Sequence, residues 1–183
     1  MSDAVRRNET WTEPTRNLPL RFGSHPGRLA VTVALLITGG IALQFASAYT
    51  LGLLFWGVVG SAAAWIVVPA RGWRRAVALG PGVFGVASLL AGAASGALIG
   101  LTLAAWLLVR ERRAVTYVLV SVPVAVAVTL AQFFPDYGWG FVVAPILGAT
   151  VVGCAWAARS LTAAAARRDS AFAQPDASRS PLK

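Results

Sequence analysis

Charge is scarce in this chain and confined to a few places. Only 13% of the 183 residues are charged, against about a quarter in a soluble domain. No lysine, arginine, histidine or carboxylate falls inside any of the long apolar runs. Proton-coupled carriers and pumps keep such groups at membrane depth, so that mechanism is disfavoured. Histidine occurs once, as His25 in Ser24-His-Pro-Gly27, a turn-like context that reads as a solvated loop position rather than a ligand. Cysteine also occurs once, at Cys154, which excludes an intramolecular disulfide and a cysteine-based metal cluster. Its simplest role is as a small packing residue. There is no H-E-x-x-H, G-x-S-x-G or phosphate-loop motif. Ser61, Ser88, Ser95 and Ser121 have no histidine or lysine at depth to serve as a base. The expectation is a non-enzyme that uses no cofactor and no metal.

What is present is apolar: 57% of the residues are hydrophobic and the mean hydropathy is +0.67. Long uncharged runs punctuated by arginine clusters describe an all-α, polytopic integral membrane bundle. The net charge of +9 and pI near 11.4 then mark the cytoplasmic side of a membrane and imply no nucleic acid partner. Fifteen of the sixteen basic residues are Arg, and Ala, Val and Gly abound, as in coding from a GC-rich bacterial genome. The expected location is a bacterial plasma membrane.

The stretch that organises the rest is Ala76–Val109, thirty-four residues without a charge, lying between Arg71-Gly-Trp-Arg-Arg75 and Arg110-Glu-Arg-Arg113. As one helix it would be about 51 Å long, against a hydrocarbon core of about 30 Å. If it turns back, six helices cross as three hairpins, and all sixteen Lys and Arg lie on the cytoplasmic side with both termini. A single crossing, giving five spans, splits them eight and eight. The positive-inside bias favours six. The arms are short, about 13–16 apolar residues each, so the arginines must snorkel or the bilayer thin. One contrary signal is Gly92, Gly96 and Gly100 at four-residue spacing, a smooth packing face if the segment is one continuous helix. Gly80-Pro-Gly82 would then be a break before a single span.

The expected layout is a disordered cytoplasmic tail over 1–28, a transmembrane domain over 29–158, and a helix extension with a disordered tail over 159–183. The spans fall at about 29–48, 50–70, 76–92, 95–109, 115–134 and 139–158. The polar start, about 28 residues before the first apolar run, does not read as a cleavable signal peptide. In the second span, Gly57, Gly60 and Ser61 with Ala64 form a small-residue stripe suited to helix packing. Pro123 in the fifth span is expected to kink it. Trp56 is expected to lie deep as a packing residue. The basic clusters Arg71, Arg74, Arg75, Arg110, Arg112 and Arg113 have topology as their simplest explanation, with anionic lipid or a cytoplasmic protein as a further one.

At an offset of eighty-eight residues, Gln44-Phe45-x-x-x-Tyr49-x-x-Gly52 repeats as Gln132-Phe133-x-x-x-Tyr137-x-x-Gly140. Gln44 and Gln132 are the only amide side chains within the spans. A buried amide in lipid needs a partner. The plain reading is hydrogen bonding between helices. The sharper one is an outward-facing polar pocket of Gln44, Tyr49, Gln132, Asp136 and Tyr137. Two functions are therefore expected. The first is a structural or accessory subunit that packs against a membrane protein partner or a second copy of itself. The alternative is a small-molecule carrier or substrate-binding subunit. In size and span count alone, six short helices in such a chain are similar to the membrane-embedded binding subunits of energy-coupling-factor vitamin importers.

Overall fold

A computed structural model describes residues 23–47, 49–91, 93–134 and 137–172. Every regular element among them is helical: α1 (His25–Gln44), α2 (Leu51–Val67), α3 (Gly72–Ala87), α4 (Ile99–Val109), α5 (Ser121–Phe133) and α6 (Gly140–Phe172). Shorter 3-10 segments lead into α4, α5 and α6. Three stretches, His25–Gln44, Ala114–Phe133 and Gly140–Asp169, are long and apolar enough to cross a membrane; Leu51–Val67 and Ser95–Val109 are apolar but shorter. Large apolar side chains such as Ile37, Phe45, Phe55, Val118 and Val152 face outward. So wide an apolar exterior suits lipid rather than water.

α1 begins earlier than the sequence suggests. Ser24 is its N-cap, accepting from the Gly27 N–H at 3.2 Å, and Pro26 sits in the first turn, where no N–H is needed. His25 is thus the first residue of a helix and half-buried, not a solvated loop residue. Of the pair Gly39-Gly40, only Gly39 makes a close approach. A Cβ there would stand 2.9 Å from Ser61 Oγ and 3.1 Å from Gly57 O, whereas Gly40 has open space. Gly57 lies against Leu43, and Gly60 sits 3.6 Å from Gly39 Cα by the same measure. The small-residue stripe of α2 therefore lets α1 and α2 pack nearly backbone to backbone.

Within Ala76–Val109 the chain folds back on itself. α3 runs to Ala87, 3-10 turns occupy Ser88–Ala91 and Ala93–Leu98, and α4 returns antiparallel to α3. Gly85 lies against Leu98 and Thr102, Gly82 against the Trp65 indole of α2, and Thr102 Oγ1 donates to Gly82 O at 3.1 Å. Pro81 does not break α3, which continues through it. Of the expected glycine face, Gly92 lies outside the described residues, while Gly96 meets Leu147 and Ala127 and Gly100 meets Val124. Among the described residues, 3-10 turns and not one continuous α-helix link α3 to α4.

α4 is the centre of the molecule. Ile99, Gly100, Thr102, Leu103, Ala105, Leu107 and Val109 are all buried, so most of its surface is covered by the other helices, with Leu101 left exposed. One cluster joins it to α2 and α3 through Trp65, Val68, Ala78, Ala105 and Val109. A second joins its start to α5 and α6 through Ile99, Ala127, Val143 and Leu147. A third packs Leu103 and Leu107 on Cys154 and Ala158 of α6. Two aromatic expectations need correction. Trp56 is exposed and stacks edge-on with Phe55, because it lies on the side of α2 away from the Gly57–Ser61 stripe. Trp65, instead, is buried. Pro123 falls in the first turn of α5, where the 3-10 segment Ala114–Val120 gives way to α-helix.

Gly85→Ala places a Cβ against the backbone of Leu98 and Thr102 and is expected to destabilise the protein by about 1–3 kcal/mol. Gly40→Ala, with open space around it, is expected to be neutral or stabilising by up to about 1 kcal/mol. Thermal unfolding in detergent micelles compares them; equal effects would contradict the α3–α4 contact.

Candidate functional site

Two groups of polar residues sit at opposite ends of the helices. At the end formed by the C-termini of α1 and α5, the structure places three of the five expected pocket residues. Gln44 closes α1, is half-buried, and its Oε1 lies 3.6 Å from where a Gly140 Cβ would stand at the start of α6. Gln132 is exposed near the end of α5, and Tyr49 is 98% exposed in the α1–α2 link. Asp136 and the side chain of Tyr137 lie outside the described residues. The structure thus brings Gln44 to α6 and leaves Tyr49 and Gln132 facing out. The helix ends follow the repeat: α1 ends at Gln44 and α5 at Phe133, while α2 starts at Leu51 and α6 at Gly140.

The opposite end gathers both arginine clusters, because α3 and α4 are antiparallel. Its organising residue is Glu111. α4 closes in a Schellman-type turn: the Arg112 N–H donates to Leu107 O at 3.1 Å and the Glu111 N–H to Leu108 O at 3.2 Å. Glu111 occupies the left-handed position of that turn at φ 53°, where glycine is usual and an L side chain costs about 1–2 kcal/mol. Its carboxylate turns toward α3. Glu111 Oε1 is 3.2 Å from Arg71 Nε and 3.7 Å from Arg74 Nε. The charges approach without aligned N–H···O bonds, since Glu111 Oε1 and Arg74 Nε have no hydrogen-bond partner. Arg71 is 58% exposed, so its pair with Glu111 is worth at most about 1 kcal/mol.

The other arginines mostly close helix ends. Arg74 Nη1 donates to Leu108 O at 3.0 Å and Arg28 Nε to Val67 O at 2.9 Å, each supplying a cation and a donor to the last turn of a neighbouring helix. Arg75 Nη2 donates to Ala70 O at 3.0 Å. Burial first, and the nearby Arg28 charge second, pull the Arg75 guanidinium below its ordinary value. Arg110 is buried with its guanidinium 5.6 Å from the Trp106 ring centre. Arg113 reaches the C-terminal part of α6, pairing with Asp169 at 2.5 Å.

In the sequence these clusters read as a topology signal, and the role of Glu111 emerges only from the fold. A signal was available: Glu111 is the one acidic residue between Glu13 and Asp136, and it stands inside an arginine cluster. Chemically this end offers fixed positive charge and hydrogen-bond donors, but no acid–base pair among the described residues.

Glu111→Ala keeps the strained backbone and loses the ion pairs, so a loss of about 1–2 kcal/mol is expected. Glu111→Gly relieves the strain and should recover about 1 kcal/mol of it. Denaturant unfolding of the two variants and the native protein reads both effects; an alanine variant as stable as native would leave the ion pairs without a role.

No protein-family model matches this sequence, and no curated protein or solved structure shows significant similarity to it.

Proposed function

We infer that this is a small multi-pass membrane protein whose six helical segments cross as three hairpins, with both termini on the cytoplasmic side. It acts as a non-enzymatic accessory or structural subunit by packing against a membrane partner. The observation that carries the reading is the fold-back of α3 on α4, which gathers Arg71, Arg74 and Arg75 with Arg110, Arg112 and Arg113 at one end. That end is then the positively charged, cytoplasmic one. The 16-residue α3 and 11-residue α4 are short for a span, and the arginines at their ends extend their reach to the interface. A packing role is supported by glycines that the fold itself leaves unused. Gly40, Gly148 and Gly153 have nothing within 4 Å of a Cβ position, so a partner helix can approach closely there. The partner is another membrane protein or a second copy of the chain.

A second reading, a small-molecule carrier with an outward-facing site, is favoured by the approach of Gln44 to the start of α6. That contact brings the two halves of the repeat together at one rim.

Topology is tested by cysteine accessibility in a Cys154→Ser background: Arg74→Cys and Arg112→Cys should label from the same, cytoplasmic, side. Labelling from opposite sides would exclude six spans. Function is tested by purification in mild detergent. A stoichiometric membrane protein, or a dimer of this chain, that is lost in Gly153→Leu supports the accessory role. A retained small molecule that is lost in Gln44→Leu and Gln132→Leu supports the carrier.

A further inference from the structure

Arg28 and Arg75 both reach the α2–α3 link, with no carboxylate paired to either among the described residues. Arg28, in the first turn of α1, holds Val67 O, and Arg75, in the first turn of α3, holds Ala70 O, so the two guanidiniums bracket residues 67–70. They are close enough for the charge of Arg28 to disfavour that of Arg75. Neither forms an ion pair among the described residues, where Glu111 is engaged by Arg71 and Arg74 and Asp169 by Arg113. Arg75 Nε is buried and has no acceptor among the described residues. The first turn of α3 carries no acidic residue, so its free N–H groups add positive potential at the same place. Two like charges in a partly buried notch are costly unless an anion completes them.

The surroundings say which anion. Val31 of α1, one turn from Arg28, and Ile66 of α2, next to Val67, are exposed apolar residues close along the helix from the notch. Trp73, also exposed, stands beside it with its ring under the Arg74 guanidinium, 5.2 Å from the ring centre. A ligand seated here has donors for a phosphate on one side and apolar helix faces for hydrocarbon chains on the other. An exposed tryptophan marks interfacial depth. We propose that Arg28 and Arg75 hold the phosphate of an anionic phospholipid, with Arg71 at the rim of the site. The bound headgroup neutralises the notch and ties the first hairpin to the second at the cytoplasmic surface. This rests on the membrane-spanning reading above.

The test uses the full chain in neutral detergent, titrated with short-chain phosphatidylglycerol or phosphatidylcholine while thermal unfolding is followed. Phosphatidylglycerol should stabilise saturably and phosphatidylcholine should not. Arg28→Gln or Arg75→Gln should weaken the apparent affinity about fivefold, and the pair about twenty-five-fold, as for loss of one and two basic contacts to an anionic surface. Arg159→Gln, an exposed arginine of α6 outside the notch, should leave it unchanged. Equal stabilisation by the two lipids overturns the proposal, and needs no variant to fold. An equal loss in Arg159→Gln overturns it in favour of diffuse charge, and the same stabilisation by inorganic phosphate alone overturns the lipid assignment. Carbonate extraction of cell membranes separates the two levels. Release of the protein into the soluble fraction overturns the membrane reading itself, whereas retention without lipid preference overturns only the site.

Discussion

The close approach of α3 to α4 is the contact on which the rest depends. It is possible because Gly85 presents bare backbone where any side chain would collide with Thr102 or Leu98, as Gly82 does for Trp65 of α2 on the same helix. In a lipid environment water does not drive helices together, so association rests on van der Waals contact and hydrogen bonds, and both need backbones within reach. The Thr102 hydroxyl bond to Gly82 O exists only because of that approach. Once α4 lies along α3, it becomes the shared core of the remaining helices, and the two arginine clusters meet at one end.

The same economy governs the polar groups. Threonine hydroxyls on the helices bond back to carbonyls of their own chain, as Thr32 does to Arg28 O, Thr129 to Ala125 O and Thr150 to Ile146 O. Such bonds keep a hydroxyl satisfied where no water reaches it. The arginines extend the principle to helix ends, where the final carbonyls lack partners of their own. Arg28 ties α1 to the last turn of α2 and Arg74 ties α3 to the last turn of α4, so they link neighbouring helices as well as carry charge. Glu111 then has a defined place: it partly balances this crowd of cations from a backbone position that would be easier for glycine.

Much of the helical layout was legible because it rests on composition and local chemistry. The charge-free runs, the stripe around Gly57 and Ser61, and the turn-forming residues between runs are properties of short stretches. The starts and ends of helices were harder. Ser24 with Pro26 begins α1 inside a segment that reads as tail, since capping depends on a single side-chain bond to the Gly27 N–H. Trp56 and Trp65 are nine residues apart in an equally apolar helix, and which of them is buried depends on where Gly82 lies in space. The role of Glu111 was hidden for a similar reason, because Arg71 and Arg74 are distant in sequence and near only after the chain folds back. The candidate polar residues at the other end were visible as a repeated pattern, but the approach of Gln44 to Gly140 was not.

By itself the sequence determined that the protein is helical, that its long runs have no charge to hold them in water, and that Ala76–Val109 exceeds what one crossing requires. These follow from hydropathy and helix geometry, which act over neighbouring residues. Only the tertiary structure decided how the excess is used. Three-residue-per-turn segments replace the α-helix over Ser88–Ala91 and Ala93–Leu98, and small residues let the return pack closely, with Gly96 against Leu147 and Gly100 against Val124. That choice is a matter of contact between residues far apart in the chain, Gly82 with Trp65 and Gly85 with Thr102, and no local pattern encodes it.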